Sequence, residues 1–511
     1  MADERAFALG FLRSDRLRYP AALAAGALLW LLSLTPYGIG VLAVLAFVPP
    51  LLAVPGETPR RAAAWGWAGG VLWEFATLWW LIPTMVRYGA IHPLVAFLLV
   101  AGMCAVLGLY MAGFLATVAA LVRRRGPWGL VAAPLAWVLW EWLRGHLFSG
   151  MPWWGPGYAL SVYPAFLQGV RLFGVLGLSL LCLLCATALA LWIRHRTHPA
   201  TRWAVPAAVL LLGAAYGWGA WLGGKPLERR PEIPVGYLDP NIPQDRKWDQ
   251  AFSGEVLATL LRLTTAMKHY ELKLMVWPES ATPFEWDQDA AYRQAVGDAA
   301  RTINAPILLG SVLTGGGGYQ NGAVLVGSDG SEEARYAKTH LVPFGEYVPF
   351  RSLLFFARPI VDTIGDFQPG RSLAPIESPA GKLGVTICFE GIFPELVRRQ
   401  VREGAEVLVN ITNDAWYEGT PGPAQHFLQE RVRAVETDRY LVRSANRGVS
   451  GVVTPRGTLE AAATPGQAAS FWGLVEKRNT KTLWTRLGDW WLLVPLLALA
   501  AAFLRPPRPA L

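Results

Sequence analysis

The sequence predicts a protein of two parts, a membrane domain of about eight transmembrane helices and a layered α/β domain. Two observations lead to this prediction. The 511-residue chain is 53% hydrophobic and only 16% charged, against about 25% charged in a typical soluble chain. The charge is also unevenly distributed, because no Lys or Asp occurs between Tyr19 and Gly224, while 31 of the 37 acidic residues follow Lys225. This composition excludes a disordered chain and an ordinary cytosolic enzyme.

Apolar segments long enough to cross a bilayer follow one another in the first 222 residues. A helix needs about 20 mainly apolar residues to cross about 30 Å of hydrocarbon. The candidate spans are 20–36, 38–54, 63–82, 91–121, 128–147, 166–193 and 203–222, with an eighth at 487–504. We therefore expect an N-terminal membrane domain (1–222), a second domain (223–486), and a last transmembrane helix with its tail (487–511).

The distribution of Arg predicts the orientation of these spans, because cytoplasmic loops carry an excess of Lys and Arg. With eight spans, all the Arg-rich segments fall on one side. These segments are the N-terminal tail (Arg5, Arg13, Arg16, Arg18), three loops (Arg60–Arg61, Arg123–Arg125, Arg194–Arg202) and the C-terminal tail (Arg505, Arg508). We expect a multi-pass protein of the Gram-negative inner membrane, with both termini cytoplasmic and 223–486 in the periplasm. These Arg-rich segments account for part of the net charge of +9, so the net charge does not imply nucleic-acid binding.

The segment 232–475 has the pattern of a layered α/β fold. Short apolar runs bounded by Gly, Pro or Asp are typical of buried strands, and amphipathic runs lie between them. The predicted strands are 233–238, 273–277, 306–311, 322–327, 383–388, 406–411 and 450–454. The predicted helices are 254–269, 289–302, 394–402 and 424–438.

Cys388 is the one cysteine outside the predicted spans. The other three, Cys104, Cys182 and Cys185, lie within spans, where a free thiol behaves as a small apolar residue. Cys388 ends a predicted strand just before a predicted helix. A lone cysteine in an oxidising compartment is either buried and inert or a reactive nucleophile. A strand-to-helix elbow would hold such a nucleophile rigidly, with backbone N–H groups directed at a developing oxyanion.

Two other segments favour the nucleophile. In Trp277-Pro278-Glu279 a carboxylate follows an apolar strand, where burial can raise its pKa and make it a base. In Lys338-Thr-His340-Leu-Val-Pro-Phe-Gly-Glu346 a Lys precedes a Pro/Gly loop and a second Glu. Taken singly, each is weak, since a Glu at a strand end is usually a solvated cap and a Lys a solvated surface charge.

Together and in this order, Trp-Pro-Glu, Lys-x-His-Leu-Val-Pro-Phe-Gly-Glu and Ile-Cys-Phe-Glu resemble the nitrilase (carbon–nitrogen hydrolase) superfamily. That resemblance implies an αββα sandwich with a catalytic triad of Glu279, Lys338 and Cys388. Further motifs resemble one membrane-embedded branch, the apolipoprotein N-acyltransferases. These motifs are Asn241-Ile-Pro-Gln244, Lys247-Trp248-Asp249, Asn413-Asp-Ala-Trp416, Gln425-His426-Phe427 and Glu141-Trp-Leu-Arg144-Gly145.

The resemblance also implies a reaction. Cys388 would attack the sn-1 ester of a phospholipid to form a thioester. The thioester would then acylate the N-terminal α-amine of diacylglyceryl-cysteine in an apolipoprotein, which completes lipoprotein maturation. Glu279 would be the base, and Lys338 with the backbone N–H of Phe389 would hold the oxyanion. The family often has Tyr where this chain has Phe389, so a role for that hydroxyl does not carry over.

Supporting and substrate-binding residues follow from the same resemblance. Glu346 would position Lys338, and Glu390 would help to orient the site. Trp248 resembles the mobile-loop aromatic residue near the lipid entrance, with a plain core Trp as the alternative. Glu141 and Arg144 are placed to face phospholipid head groups, although a mutual ion pair is an equal alternative, and Glu74 has no evident partner. The remaining substrate-binding candidates are Asn413, Trp416 and His426.

The expected partners are a phospholipid donor, a diacylglyceryl apolipoprotein acceptor and the bilayer. No metal or diffusible cofactor is required by this chemistry, and we expect a monomer that does not bind nucleic acid. Two alternatives remain open at this stage. A membrane-anchored carbon–nitrogen hydrolase would use the same triad on an amide or nitrile, and water would resolve the acyl-enzyme to an acid. A non-enzymatic scaffold would require a broken triad, whereas Glu279, Lys338 and Cys388 are all present.

Overall fold

The computed structural model describes residues 15–505, except 196, 200, 229, 316, 349–366 and 464–465. Four of the Arg residues that predicted the orientation therefore lie outside the described residues: Arg5, Arg13, Arg196 and Arg508. The chain divides into two units. One comprises Met1–Lys225 and Leu487–Leu511, and the other comprises Pro226–Arg486.

The first unit consists of helices and connecting segments, and no strand occurs among its described residues. Its helices before Lys225 are α1 (Asp15–Ser33), α2 (Leu42–Ala46), α3 (Val48–Ala53), α4 (Pro59–Leu78), α5 (Leu81–Tyr88), α6 (Pro93–Arg125), α7 (Ala133–His146), α8 (Pro156–Ser161), α9 (Pro164–Leu167), α10 (Val170–His195) and α11 (Ala204–Gly224). In the part of the chain that the structure describes, four helical segments are long and apolar enough to cross a membrane: Pro93–His146, Val170–His195, Ala204–Gly224 and Leu483–Leu504. This is a membrane domain, and the count of eight spans stays a prediction.

Two local features of this unit follow directly from its sequence. The predicted span 38–54 is broken into α2 and α3, because two consecutive prolines after Val48 cannot donate backbone hydrogen bonds to the preceding turn. Helices α4 and α6 approach closely through glycines. A Cβ on Gly70 would lie 2.8 Å from the Cα of Gly108, and one on Gly66 would lie 2.9 Å from the Cα of Ala112. Such small residues allow helix backbones to pack in a membrane.

The second unit is an αββα sandwich. One sheet has the strand order β11-β1-β2-β3-β4-β5 and the other has the order β10-β9-β8-β7-β6. Pairing is parallel within β1-β2-β3 and β6-β7-β8, and antiparallel elsewhere. The strands are β1 (Glu232–Asp239), β2 (Leu274–Val276), β3 (Ile307–Gly315), β4 (Gly318–Val326), β5 (Glu332–Ala337), β6 (Leu383–Ile387), β7 (Val407–Asn413), β8 (Leu441–Asn446), β9 (Gly451–Val453), β10 (Leu459–Glu460) and β11 (Ala469–Glu476).

Two main helices cover each sheet. The helices of this unit are α12 (Gln244–Lys247), α13 (Ser253–Thr265), α14 (Ala290–Ile303), α15 (Pro394–Arg402) and α16 (Gly422–Thr437). Helices α13 and α14 pack apolar side chains such as Leu260 and Val296 against Met275 and Ile307 of the first sheet. On the second sheet, Gln400 of α15 donates to the carbonyl of Val385 at 2.6 Å. All four predicted helices and all seven predicted strands are confirmed, with ends shifted by a few residues.

The chain ends in α17 (Leu483–Leu487) and α18 (Leu493–Leu504). The last carbonyls of α18 are free of intrahelical partners, and Arg125 at the end of α6 supplies donors to them. Its Nε donates to the carbonyl of Ala502 at 3.0 Å, and its Nη2 donates to that of Arg505 at 2.8 Å. The last helix is thereby attached to the other helices of its own unit.

Candidate active site

The thiol of Cys388 lies at a sharp turn between a strand and a helix. Strand β6 ends at Ile387, and a short 3₁₀ helix, Cys388–Ile392, follows at once. Cys388 itself has φ +51°, in the left-handed region that a residue with a β-carbon rarely adopts. A nucleophile elbow has this geometry. The side chain is only 9% exposed.

Glu279 follows β2 and is held by two hydrogen bonds from other segments. Its Oε1 accepts from Nδ2 of Asn321 at 2.8 Å, and its Oε2 accepts from the backbone N–H of Asn413 at 3.0 Å. Nζ of Lys338 lies 3.8 Å from the same Oε1. The carboxylate is therefore oriented from two sides and remains beside a positive charge.

Lys338 is buried and paired with a second carboxylate. Its Nζ donates to Oε1 of Glu346 at 2.9 Å. Glu346 is held in turn by Asn321, whose Nδ2 donates to its Oε1 at 2.7 Å, and by the backbone N–H of Val342 at 2.8 Å. Burial disfavours the ammonium, but the charges of Glu346 and Glu279 outweigh it and raise the pKa of Lys338. Lys338 therefore stays charged across the physiological range.

The electrostatics of Cys388 keep its thiol protonated at rest. Burial raises the pKa of the thiol well above its usual value, the carboxylate of Glu279 raises it further, and Lys338 lowers it in part. A thiol of this kind becomes a nucleophile only when a neighbouring base removes its proton as it attacks. The carboxylate of Glu279 and the ammonium of Lys338 both act on the thiol, so the structure brings the three predicted triad residues together.

Asn321 of this cluster was missed from the sequence, and Lys247 was named only within the motif Lys247-Trp248-Asp249, with no role assigned to it. Asn321 bridges Glu279 and Glu346, and its only signal is a polar residue at the start of an apolar run in β4. Lys247 ends α12 and is 1% exposed. Its Nζ donates to the backbone carbonyl of Glu279 at 2.9 Å. Burial lowers the pKa of Lys247 to about 8, although Glu279 and Cys388 act in the opposite direction.

Glu390 joins the elbow to the segment that carries Lys338. Its Oε1 accepts from the backbone N–H groups of Thr339 (2.7 Å) and His340 (3.0 Å), while its Oε2 accepts from that of Ile387 at 2.9 Å. The hydroxyl of Tyr336 also donates to this carboxylate at 2.8 Å. Burial raises the pKa of Glu390, and Lys338 opposes that rise. Glu390 is fully buried. Through these hydrogen bonds it fixes the position of the elbow relative to the segment that carries Lys338.

Asn413 and His426 lie behind the catalytic side chains rather than on an open surface. Asn413 is 2% exposed, and its side-chain amide contacts Gln244 at 2.7 Å in addition to its backbone bond to Glu279. His426 is 1% exposed, and its Nε2 lies 3.2 Å from the backbone carbonyl of Cys388. Trp416 is half-buried in the 3₁₀ helix Asp414–Tyr417 that follows β7.

Two aromatic side chains flank the site differently. Trp248, next to Lys247, is 43% exposed, which excludes the alternative of a core Trp. Phe389 is buried, and its ring centroid lies 5.0 Å from that of Phe393 and 6.0 Å from that of His340. The Phe389 side chain therefore packs against other rings.

Glu141 and Arg144 belong to the membrane unit, where the structure supplies the partner that Glu74 lacked. Nη1 of Arg144 bonds Oε1 of Glu74 at 2.8 Å, and Nη2 donates to the carbonyl of Trp154 at 2.5 Å. Glu141 accepts instead from Trp137 at 2.6 Å and from Ser179 at 3.0 Å. Glu74, Glu141 and Arg144 line a pocket together with Trp30, Trp73, Trp137, Trp140 and Trp154.

No group of three or more His, Cys, Asp or Glu in the described part of the chain is arranged to hold a metal ion. A buried carboxylate, a buried cation, a thiol on an elbow and the backbone N–H that follows it are the groups that acyl transfer through a covalent intermediate would use.

Comparisons with known proteins find relatives of both parts of the chain. The profile of the apolipoprotein N-acyltransferase N-terminal domain matches residues 25–188, and that of carbon–nitrogen hydrolase matches residues 241–469. The chain is 36% identical over 503 residues to an apolipoprotein N-acyltransferase of Geobacter metallireducens, which covers 95% of this chain and 94% of the relative. The identity is 33% over 482 residues to that of Methylococcus capsulatus, with 91% and 92% covered. A solved carbon–nitrogen hydrolase from Helicobacter pylori is similar at TM-score 0.37 and 20% identity, over 48% of this chain and 89% of that chain.

Proposed function

This chain belongs to the apolipoprotein N-acyltransferase family, and from that premise we propose that it transfers an acyl chain from a phospholipid to an apolipoprotein. The acceptor is the N-terminal α-amine of diacylglyceryl-cysteine, so the product is the mature, triacylated lipoprotein. The observation that carries the proposal is the buried cluster of Glu279, Asn321, Lys338 and Glu346 at the Cys388 elbow.

In the first half-reaction, Cys388 Sγ attacks the carbonyl carbon of the sn-1 ester while Glu279 takes the thiol proton. The negative charge that develops on the carbonyl oxygen is held by the ammonium of Lys338 and the backbone N–H of Phe389. The tetrahedral intermediate then expels the glycerol oxygen, which takes the proton from Glu279. The products are a thioester on Cys388 and a lysophospholipid.

In the second half-reaction, the neutral α-amine attacks the thioester carbonyl. Glu279 accepts the proton that the amine nitrogen loses, and the same donors hold the oxyanion. The C–S bond breaks, and the leaving sulfur takes back the proton from Glu279. The buried pair of Lys338 and Glu346 supports this scheme, because a cation that stays charged through both steps needs no proton transfer of its own.

The residues outside the triad have two kinds of role, the positioning of catalytic groups and contact with the substrates. We assign Glu346 to the positioning of Lys338, Glu390 to the elbow, and Asn413 to the positioning of Glu279. The exposed side chain of Trp248 supports a role at the lipid entrance, and half-buried Trp416 remains a substrate-contact candidate. The aromatic pocket beside Glu141 and Arg144 supports a role in binding the phospholipid head group.

The segregation of Arg supports a periplasmic catalytic unit with both termini in the cytoplasm. Both substrates are anchored in the bilayer, and a soluble enzyme would have to expose an acyl chain at a cost of roughly 0.8 kcal/mol per CH₂. An enzyme with its own membrane domain avoids that cost.

The test uses the full-length protein in detergent–lipid micelles. It is mixed with a phospholipid that carries an isotope-labelled sn-1 chain and with a diacylglyceryl peptide, and masses are followed with time. The proposal expects labelled acyl-Cys388 first and labelled triacylated peptide afterwards. Cys388→Ala should abolish both products, whereas Cys104→Ala, a buried cysteine of the membrane unit, should keep them. Steady release of free fatty acid without peptide acylation would contradict the transferase.

A further inference from the structure

The backbone carbonyl of Cys388 receives two side-chain donors from inside the protein. Nδ2 of Asn410 donates to it at 3.3 Å, and Nε2 of His426 lies 3.2 Å from it. Both side chains are almost completely buried, at 0% and 1% exposure. Neither residue takes part in the two proposed half-reactions, and yet both converge on one carbonyl of the nucleophile.

The geometry of the peptide bond gives these two contacts a consequence on the opposite side. The carbonyl of Cys388 and the N–H of Phe389 belong to the same planar trans peptide, in which C=O and N–H point in opposite directions. Donors that hold the carbonyl inward therefore hold the N–H of Phe389 outward. That N–H is the backbone donor proposed for the oxyanion.

His426 is set in a buried network of four charged groups. Its Nδ1 lies 3.1 Å from Oδ1 of Asp414, and its Nε2 lies 2.8 Å from Oε1 of Glu430. Arg443 completes the network, since its Nη2 pairs with Oδ2 of Asp414 at 3.0 Å and its Nε pairs with Glu430. All four side chains are at most 2% exposed.

The network favours the imidazolium form of His426. The two carboxylates carry two negative charges and the guanidinium of Arg443 carries one positive charge. A protonated His426 therefore makes the four groups neutral in total. Burial disfavours that charge, but Glu430 and Asp414 outweigh it and raise the pKa of His426 to about 9. A charged donor makes a stronger hydrogen bond than a neutral one, and donation to a carbonyl polarises its whole peptide, including the N–H.

We infer that His426, with Asn410, positions and polarises the Cys388–Phe389 peptide, and thereby strengthens the backbone N–H of Phe389 as an oxyanion donor in both half-reactions. His426 is in this sense a positioning residue that acts through the peptide and touches no substrate. The inference rests on the proposed function, because it needs an acyl-enzyme at Cys388. It also gives the strained backbone of Cys388 a purpose, since φ +51° is the conformation in which the carbonyl meets these two donors.

The test reads the oxyanion donors directly, by the infrared stretching band of the thioester carbonyl. Full-length protein is acylated by a phospholipid whose sn-1 carbonyl carries ¹³C, and the band of acyl-Cys388 is measured by difference. Weaker donation to the carbonyl oxygen moves the band to higher wavenumber. In His426→Leu we expect such a shift, together with a fall of about 10- to 100-fold in the rates of both half-reactions and an unchanged KM for lipid.

Two further variants separate this effect from a loss of folding. His426→Gln keeps a neutral donor and should show a smaller shift and a smaller rate loss, and Asn410→Ser should move the band in the same direction. Glu436→Gln is the matched control, because it removes a buried charge from the same helix, at 2.9 Å from Nε of Arg433. It should lower the unfolding temperature and leave the band in place.

The outcomes distinguish this inference from the proposal on which it rests. Wild-type protein that forms no acyl-Cys388 would overturn the proposed function and this inference together. Wild-type protein that forms it, with a band that stays fixed in the His426 and Asn410 variants, would overturn the inference alone. A band that moves equally in Glu436→Gln would also overturn the inference, since the shift would then reflect a general loss of packing around the helix and not a loss of donation to the Cys388 carbonyl.

Discussion

At the scale of single residues, Asn321 shows how one amide organises two carboxylates. Its Nδ2 carries two hydrogens, and it donates to Glu279 at 2.8 Å and to Glu346 at 2.7 Å. Lys338 lies against the same two oxygens, at 3.8 Å and 2.9 Å. Two carboxylates beside one cation would otherwise compete for it, and the shared amide keeps Glu279 available to the thiol while Glu346 holds the Lys.

Replacing Asn321 with Leu, of similar volume, should slow the formation of acyl-Cys388 by about 10- to 100-fold, because both carboxylates lose a hydrogen bond and Glu279 loses its orientation. The rate is measured in a single turnover with labelled phospholipid. Gln320→Leu, on the opposite face of the same strand, is the control and should keep the wild-type rate. An unchanged rate in folded Asn321→Leu would contradict this role.

At the scale of elements, the elbow is held by close contact between the 3₁₀ helix Cys388–Ile392, strand β7 and helix α16. Gly391 is where they meet. A Cβ on Gly391 would lie 2.8 Å from Cγ of Glu430 and 2.9 Å from Nδ2 of Asn410. The absence of a side chain at this position is therefore what allows Asn410 and the charged network to reach the carbonyl of Cys388.

Gly391→Ala should therefore lower the rate of acyl-enzyme formation by about 10-fold or more and reduce the free energy of unfolding by about 1–3 kcal/mol, since overpacking moves its neighbours. Gly254→Ala is a matched control, because a Cβ there meets nothing within 4 Å and Ala favours the helix. Single-turnover rates and thermal unfolding curves measure the two effects. Equal behaviour of the two variants would contradict the packing argument.

The membrane unit offers an independent test at the same scale. A Cβ on Gly108 of α6 would lie 2.9 Å from the backbone nitrogen of Val71 in α4, whereas one on Gly102 would meet nothing within 4 Å. Gly108→Leu should push α4 away and lower the unfolding temperature by several degrees, and Gly102→Leu should leave it unchanged. A thiol-reactive dye measures this transition through Cys104, which is buried in α6. Equal unfolding temperatures would contradict the packing of these helices.

At the scale of the whole molecule, the charged network couples stability to pH. Burial opposes the charge of Asp414, but Arg443 and His426 outweigh it and lower its pKa to about 2. The Asp414 contribution is therefore present above its ordinary pKa of 3.8 and is lost as the pH falls towards 2. The pKa of His426 is raised, to about 9, so its contribution to stability changes with pH in the opposite direction. Its contribution is complete below about pH 6.5 and is lost as the pH rises through 9.

The free energy of unfolding of the full-length protein should accordingly fall between about pH 6.5 and 9, by an amount on the order of 3 kcal/mol from His426. Lys247 acts in the opposite sense above pH 8, because its pKa is lowered. The His426 contribution is therefore taken as the difference between wild type and His426→Gln, followed by circular dichroism in detergent. Parallel curves for the two proteins across this range would refute the linkage.

Most elements of the α/β unit could be predicted from the sequence, and two of the strands that were missed have separate physical reasons. Strand β5 reads Glu-Glu-Ala-Arg-Tyr-Ala and lies at a sheet edge, so its pattern is polar. Strand β8 contains Arg443, which is fully buried and yet charged, because Asp414 and Glu430 neutralise it. The carboxylates that neutralise Arg443 are distant from it in the sequence, so the local sequence pattern around β8 does not indicate a buried strand.

The sequence by itself determined the division into a membrane part and an α/β part, because transfer of apolar side chains from water depends on local composition. It also singled out Glu279, Lys338 and Cys388, through three short motifs whose order along the chain resembles one superfamily. Only the tertiary structure decided that Asn321 bridges two carboxylates, that Lys247 bonds the carbonyl of Glu279, and that His426 lies behind Cys388. Hydrogen bonds and charge pairs act over a few ångströms. Their partners therefore depend on which residues the fold brings together, and not on distance along the sequence.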